Sequence, residues 1–368
     1  MNGMKQPLLE RFFPTPAFLR MLPGGLDISD RSIKFLELGH THGKMALGRY
    51  GEATVPEGVI TGGEIVEREE LVRILRDMRA RFGMRFVNVS LPEEKSFIFS
   101  LDLPYLEPNE VRQSVELALE EHIPLHADDV VFDFEVAEFT GDTHDHLDVN
   151  VSVMPRSVVD VYSEILNESG FVPLAFELEG QAIARAVLRE GDAGTFMVVD
   201  FGATRTSISI VEHGIVWFTT SIAIGGKELT NAIVKDFGVP FADAERIKIE
   251  QGLGQKSGEL GVYASLLATL SVLRDELSKH YQYWNKRHKG VRHERGMIEK
   301  IIMCGGDAVI PGIIEFLTAD VGVSVTLGNP WVNILSLETY IPPIHLNDAQ
   351  RYTPAIGLAL REFRKLKW

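Results

Sequence analysis

An apolar strand that carries an aspartate near its end, turns through small or polar residues and returns as a second strand occurs twice in this chain. The first copy is Leu26-Asp27-Ile28-Ser29-Asp30-Arg31-Ser32-Ile33, and the second is Val199-Asp200-Phe201-Gly202-Ala203-Thr204-Arg205-Thr206-Ser207-Ile208. The two aspartates lie 173 residues apart, nearly half of the 368-residue length. A duplicated unit at that spacing implies two related lobes facing each other. Such lobes suit a phosphorylated ligand held between them. Turns rich in Gly, Ser and Thr bring backbone N–H groups close to phosphate oxygens. An aspartate at each strand end can hold the waters of Mg²⁺, which prefers one or two carboxylates plus solvent. Two unrelated hairpins in a two-domain protein are the alternative, because each motif is short. A third element narrows the choice: Ile301-Ile302-Met303-Cys304-Gly305-Gly306-Asp307-Ala308-Val309-Ile310-Pro311-Gly312 runs a strand into paired glycines. Paired glycines let a backbone approach a flat ring or ribose with no Cβ in the way.

The remainder of the chain divides by period. Residues 1–23 hold Pro7, Pro14, Pro16 and Pro23, which forbid one continuous helix, so they read as an N-terminal arm. Residues 24–93 form the core of a first lobe, with the Asp27 hairpin, a helix marked by Leu71, Ile74, Leu75, Met78 and Phe82, and a buried strand from Phe86 to Leu91. Residues 94–155 then switch to period two. Phe97, Phe99, Leu101 and Leu103 alternate with Ile98, Ser100 and Asp102, and the same alternation returns through Phe132–Val136 and Leu147–Val153. One helix opened by Pro108 lies between the first two of these strands. Three one-sided strands and a helix make a small α+β module, and with the next helix it spans 94–168 as an insert in the first lobe. About 170–195 and 350–368 are expected to complete that lobe. The second lobe then takes 196–349, with a helical subdomain at about 228–297 built from helices at 228–237, 241–251 and 259–288, and a final helix is expected at 355–366.

Charge and cysteine content exclude several classes. With 37 basic against 52 acidic side chains the net charge is −15, which opposes broad nucleic-acid binding, since that depends on neutralising phosphates. The single cysteine, Cys304, leaves no internal disulfide and fits a reducing compartment. No apolar run reaches the ~18 residues of a membrane span, and no secretory leader is visible.

The ordered set of two hairpins and one Gly-Gly turn resembles the actin, sugar-kinase and heat-shock-chaperone ATPase superfamily. The early α+β insert resembles its FtsA and PilM branches. The PilM family, cytoplasmic actin-like proteins of type IV pilus assembly, is the nearer. It is matched on Gly25-Leu26-Asp27-Ile28, Ser32-Ile33-Lys34, Glu177-Leu178-Glu179, Ile224-Gly225-Gly226-Lys227-Glu228-Leu229-Thr230, Gly305-Gly306-Asp307-Ala308, Gly328-Asn329-Pro330 and Ala355-Ile356-Gly357-Leu358-Ala359-Leu360. The resemblance covers roughly 24–366. It implies an α/β, two-lobed actin-like ATPase fold with a small α+β insert in the first lobe, binding ATP and Mg²⁺.

Carried onto this sequence, the resemblance places Asp27, Ser29, Ser32 and Lys34 on the first phosphate hairpin, with Lys34 in reach of a phosphate. Asp200, Gly202, Thr204 and Thr206 fall on the second, and Asp27 and Asp200 are the implied metal-site residues. Gly225 and Gly226 lie in a matched segment. Glu245 and Lys248 sit on an Ala-Glu-x-x-Lys helix that flanks ribose and adenine in relatives, and Gly305 and Gly306 border the adenosine. An ordinary solvated i, i+3 pair is the other reading of Glu245 and Lys248. Glu177 or Glu179 is the candidate general base for an attacking water. One departure stands out: the family usually has Gly-Ser after Asp-x, and here Ser29 and Asp30 add a Cβ and a negative charge beside the turn, weakening a tight triphosphate grip.

The implied function is a cytoplasmic scaffold, peripheral at the inner face of the cell membrane, with weak or no ATP hydrolysis. Its implied partner is the N-terminal cytoplasmic tail of a PilN-like inner-membrane protein, laid between the first lobe and the 94–155 module, with self-association as a further expectation. An FtsA-like division filament and an ATPase or small-metabolite kinase are the alternatives. Gly252-Leu253-Gly254-Gln255-Lys256-Ser257 is set aside as a phosphate loop because Gln255 interrupts it and it follows a helix. Asp142, His144, Asp145 and His146 read as a solvated hairpin tip rather than a metal site. The basic stretches Lys286–Lys289 and Arg361–Lys367 read as a helix end and as packing at the lobe base.

Overall fold

The computed structural model describes residues 22–41, 44–137, 146–254, 260–287, 296–334 and 341–363. Nearly all of the N-terminal arm, the tip with Asp142, His144 and Asp145, the Gln255–Ser257 segment, His288 and Lys289, and the basic tail from Arg364 lie outside these residues.

The first lobe opens with β1 (Gly24–Ile28), β2 (Ser32–Thr41) and β3 (Lys44–Thr54), then a small hairpin of β4 (Ile60–Thr61) and β5 (Glu64–Ile65), helix α1 (Arg68–Phe82) and β6 (Phe86–Leu91). The insert follows as β7 (Phe97–Pro104), α2 (Pro108–His122), β8 (Val130–Ala137) and β9 (His146–Pro155). Next come α3 (Arg156–Glu168), β10 (Val172–Leu178) and α4 (Glu179–Val187). The second lobe contains β11 (Thr195–Phe201), β12 (Thr206–Glu212), β13 (Ile215–Ile222), α5 (Gly226–Phe237), α6 (Phe241–Gln251), α7 (Leu260–Arg287), β14 (Lys300–Cys304), α8 (Ile313–Val321) and β15 (Val325–Leu327). The short α9 (Leu346–Ala349) and α10 (Thr353–Leu360) close the chain, so the last helix is shorter than the sequence pattern implied.

The two main sheets share one topology. Their orders are β10-β6-β1-β2-β3 and β13-β12-β11-β14-β15, each with an antiparallel three-strand meander and two parallel strands beside its first strand. The hairpin registers also match, since Asp27 pairs with Lys34 and Asp200 with Ser207, seven residues on in both cases. The central strands are buried on both faces, which is why β1, β6 and β11 read as continuous apolar runs instead of alternating ones. Helix α7 lays Leu266, Leu270, Leu273 and Leu277 on the second sheet. Helix α1 lays Leu71, Leu75 and Met78 on the first.

Between the sheets, α4 and α10 share a core with Leu36, Val198 and Ile302. These helices approach at backbone distance. A Cβ on Gly357 would lie 1.7 Å from the Ala182 carbonyl oxygen, and one on Gly25 would lie 1.9 Å from that of Ala355. In the insert, strand order is β7-β9-β8, and Phe97, Phe99 and Leu101 stand opposite Val153, Val151 and Val149. That face closes over Val111, Val115 and Leu119 of α2. The edge strands β3 and β13 and the β4–β5 hairpin escape the sequence pattern. Edge and half-exposed strands need less apolar alternation, as in Lys44–Thr54 with its two glycines.

Candidate functional site

The turns of the two duplicated hairpins face each other across a cleft of about 460 Å³, with the Gly305-Gly306 turn on its third side. Each wall is fixed locally. In the first turn, the backbone N–H and the hydroxyl of Ser29 both donate to the Ser32 carbonyl, at 3.0 and 2.9 Å. The Ser29 hydroxyl is thus engaged with its own turn. Lys34 Nζ donates to Ser32 Oγ at 2.7 Å and lies 3.7 Å from Asp27 Oδ2, while Ser90 Oγ donates to Asp27 Oδ1 at 2.9 Å. In the second turn, the Gly202 N–H donates to the Arg205 carbonyl at 3.0 Å, and Ala203 and Thr204 form the tip. The first N–H groups of α5, those of Gly226 and Lys227, donate to the carbonyls of Gly202 and Ala203, locking this turn to the helix.

The third wall requires glycine. Gly305 has φ +94°, and a Cβ there would lie 2.4 Å from Asp200 Oδ1 and 2.5 Å from the Phe201 carbonyl oxygen. Behind this turn, Lys248 Nζ lies 2.6 Å from Asp307 Oδ1 and 3.0 Å from Glu245 Oε1, and donates to the Gly226 carbonyl at 3.2 Å.

Of the fourteen binding positions expected from sequence, the cleft collects ten. Asp27, Ser29, Ser32, Lys34, Asp200, Gly202, Thr204, Glu245, Gly305 and Gly306 line it, as does Glu179. Thr206, Gly225, Gly226 and Lys248 do not; they build the wall from behind. Thr206 donates to the Ile224 carbonyl at 2.6 Å, and Lys248 is 1% exposed and spent on Asp307 and Glu245. On α6, Lys248 is thus buried behind the wall, while its i, i+3 partner Glu245 is part-exposed and lines the cleft. Glu177 is corrected as a general-base candidate. It faces away from the cleft, where Arg185 Nη1 donates to it at 2.7 Å and Arg361 stands 3.6 Å off. A base tied to two guanidinium groups outside the cleft has no access to a water within it.

Arg205, Arg351 and Asp30 also line the cleft without having been nominated. Arg205 sat in plain view as the one charged residue of the second turn.

The electrostatics are those of a site short of a cation. Acidic side chains outnumber basic ones seven to four along the lining. Burial, reinforced by the Asp27 charge, pushes the Asp200 carboxyl up to about 6, and the same two causes hold Glu179 well above the usual carboxylate range. At the back, Glu93 accepts from the Gly180 N–H at 2.7 Å and the Thr219 hydroxyl at 2.9 Å, yet burial still raises it to about 7. Carboxylates raised in the folded state bind protons more tightly than in the unfolded chain, so their contribution to stability falls as pH rises from about 4 to about 7. Without added metal, the thermal midpoint is expected to drop across this window, and Mg²⁺ is expected to flatten the slope. Thermal denaturation across pH measures this, and a midpoint that rises through the window would contradict a strained acidic cluster.

These residues fit a magnesium nucleotide. Asp27, Asp200 and Glu179 supply the hard oxygen donors that Mg²⁺ prefers, and the Gly305-Gly306 backbone presents an edge with no Cβ toward the cleft.

Paired sheets of one topology, with facing aspartate hairpins and two interlobe helices, define an actin-like, two-lobed α/β fold carrying an α+β insert. A family model described as type IV pilus assembly protein PilM matches residues 25–363, and the chain belongs to that family. Among curated relatives, cell division protein FtsA of Streptococcus pneumoniae is 22% identical over 344 residues, covering 83% of this chain and 75% of the relative. FtsA of Enterococcus hirae is 24% identical over 371 residues, covering 86% and 82%. Among solved structures, a chain of a PilM-PilN type IV pilus biogenesis complex superposes with a TM-score of 0.76 at 23% identity, covering 94% of this chain and all of that one. MreB5 of Spiroplasma citri bound to ADP gives 0.54 at 12% identity, covering 92% and 95%. The family places this chain among the actin-like components of type IV pilus assembly. Among the described residues, no helix is long and apolar enough to cross a membrane.

Proposed function

We propose that this chain is an ATP- and Mg²⁺-binding scaffold that docks the N-terminal cytoplasmic tail of a PilN-like inner-membrane protein, and is held at the inner face of the membrane through it. The observation that carries the nucleotide half of this reading is the shared cleft of Asp27, Asp200 and Gly305. With an excess of acidic side chains lining that cleft, a polyphosphate can enter only with a divalent cation, so binding should be strictly Mg²⁺-dependent. When bound, the metal offsets phosphate charge and completes its coordination shell with water. Asp27 and Asp200 would hold it, Lys34 would neutralise phosphate oxygens from the first turn, and the amides of Ala203 and Thr204 would meet them from the second. Glu179 is the residue placed to orient a water. Burial and the Asp27 charge hold its carboxyl above the usual carboxylate range, and weak or no hydrolysis is expected in this reading, below the ~1 s⁻¹ lower edge of ordinary enzymes.

In this reading the first lobe comprises 24–93 with about 170–195 and 350–368, the insert is 94–168, and the second lobe is 196–349 with its helical subdomain at about 228–297. We place the tail in the seam between α4 and the insert, where Gln181 Nε2 donates to Ser152 Oγ at 3.1 Å and Glu135, Arg185 and Arg361 supply both signs of charge. A ligand that closes the lobes shifts the population of seam geometries by its differential affinity for them. Titration of the full-length chain with synthetic tail peptides, with and without Mg-ATP, tests this. Saturable binding whose affinity changes with Mg-ATP is expected, and no binding in either condition would overturn the docking role.

A further inference from the structure

The first turn carries an acid where a phosphate must approach, and the opposite lobe supplies its counter-charge. Asp30 accepts backbone N–H groups from Gly62 and Gly63, each at 3.1 Å, which fixes the orientation of its carboxylate. Its ion pair is with Arg205, whose Nη1 lies 3.5 Å from Asp30 Oδ1. Arg205 belongs to the second lobe's turn, one residue from Thr204 at the tip. The same guanidinium pairs with Glu94, just beyond β6, and lies 3.9 Å from Glu179 Oε2 at the start of α4. One cation from the second lobe is thus shared by carboxylates from three separate segments of the first. Its side chain is only 15% exposed, so solvent screens these charges poorly.

Among the described residues, the first turn's own cations are not paired with Asp30. Lys34 is turned toward Asp27 and Ser32, and Arg31 pairs with Glu57 at 3.4 Å. If Arg205 were absent, Asp30 and Glu179 would face the phosphate site uncompensated, with Glu94 left unpaired behind them, a repulsion strengthened by the low local dielectric. The planar guanidinium, with five fixed donors, suits this sharing where a flexible ammonium would not.

We propose that Arg205 is a cross-lobe counter-ion, a positioning residue that neutralises Asp30 and so makes the altered first turn acceptable to a polyphosphate. This rests on the nucleotide reading above. Arg205 also couples the two turns before any ligand arrives, because the bridge is made entirely by the chain itself.

A double-mutant cycle on the full-length chain tests it, with Arg205→Ala, Asp30→Ser and the double variant, read by calorimetric titration with Mg-ATP. Arg205→Ala is expected to weaken binding at least about tenfold, Asp30→Ser to leave it within about threefold or tighten it, and the double variant to recover most of the loss. A merely structural Arg205 would not be rescued by removing Asp30, so a double variant as weak as Arg205→Ala overturns the proposal. If Arg205→Ala does not fold, Arg205→Lys replaces it; it keeps the charge and should bind within about tenfold of wild type, whereas full loss would count against neutralisation. Thermal midpoints of the same proteins without nucleotide provide a separate readout. Non-additive midpoints support the bridge, and strictly additive ones overturn it. A wild type that takes no Mg-ATP but shows non-additive midpoints refutes the nucleotide reading and, with it, the phosphate role of Arg205, while leaving the bridge in place.

Discussion

Asp200→Asn is expected to abolish stabilisation by Mg-ATP while leaving the nucleotide-free protein at least as stable as wild type. The two effects have one cause. Asp200 ends the central strand of the second lobe inside an acidic cleft, where burial and the Asp27 charge push its carboxyl up to about 6. Held ionised at neutral pH, such a group destabilises the folded chain by at most about 3 kcal/mol, reduced in practice by partial solvent access. Asparagine removes the charge and keeps the shape, so the nucleotide-free midpoint should hold or rise. It also removes one of the two carboxylates proposed to hold the metal. Wild type with ligand at a hundred times its dissociation constant gains about 2.7 kcal/mol, and the variant should gain nothing measurable. Thermal denaturation of both proteins with and without Mg-ATP measures the pair of effects. A variant that keeps the full shift would place the nucleotide, if any, elsewhere.

The second large effect concerns the frame that sets the lobes against each other. Gly357→Val should cost at least about 3 kcal/mol, because no rotamer change relieves a clash with backbone. A Cβ at this position would stand 1.7 Å from the Ala182 carbonyl oxygen and 2.4 Å from its carbon. Every residue of α10 is buried, and Arg185 Nη1 donates to the Gly357 carbonyl at 3.0 Å, so the helix has no free direction in which to move. Since α4 and α10 carry the contacts shared by the two sheets, the loss should appear as a lowered denaturant midpoint for the whole chain, or as failure to recover soluble protein. Unfolding within 1 kcal/mol of wild type would show that the helices separate more easily than their packing implies.

How much of this was legible in sequence depends on the range of the interaction. The hairpins were readable because turn chemistry is local: Asp27 to Lys34 and Asp200 to Ser207 are set by seven residues of chain. The insert was readable because one of its faces is dry, which forces period two on Phe97–Leu103 and Leu147–Val153. Glu177 and Glu179 were indistinguishable, since β10 ends at Leu178 and α4 starts at Glu179, and a change of element between them cancels any rule about which side each faces. Lys248 looked like a ligand because its pattern resembled one; only the fold shows Asp307 taking its charge, 59 residues on. Asp30 looked hostile to phosphate because its counter-ion, Arg205, lies on the other lobe, and nothing in a single sequence pairs residues at that distance.

Calorimetric titration of Mg-ATP into the full-length chain bears most directly on whether the facing turns grip one polyphosphate. A single saturable site is expected, silent when Mg²⁺ is chelated and silent in Asp200→Asn. A folded chain that gives no saturable heat, or one that binds equally well without the metal or without Asp200, would contradict it.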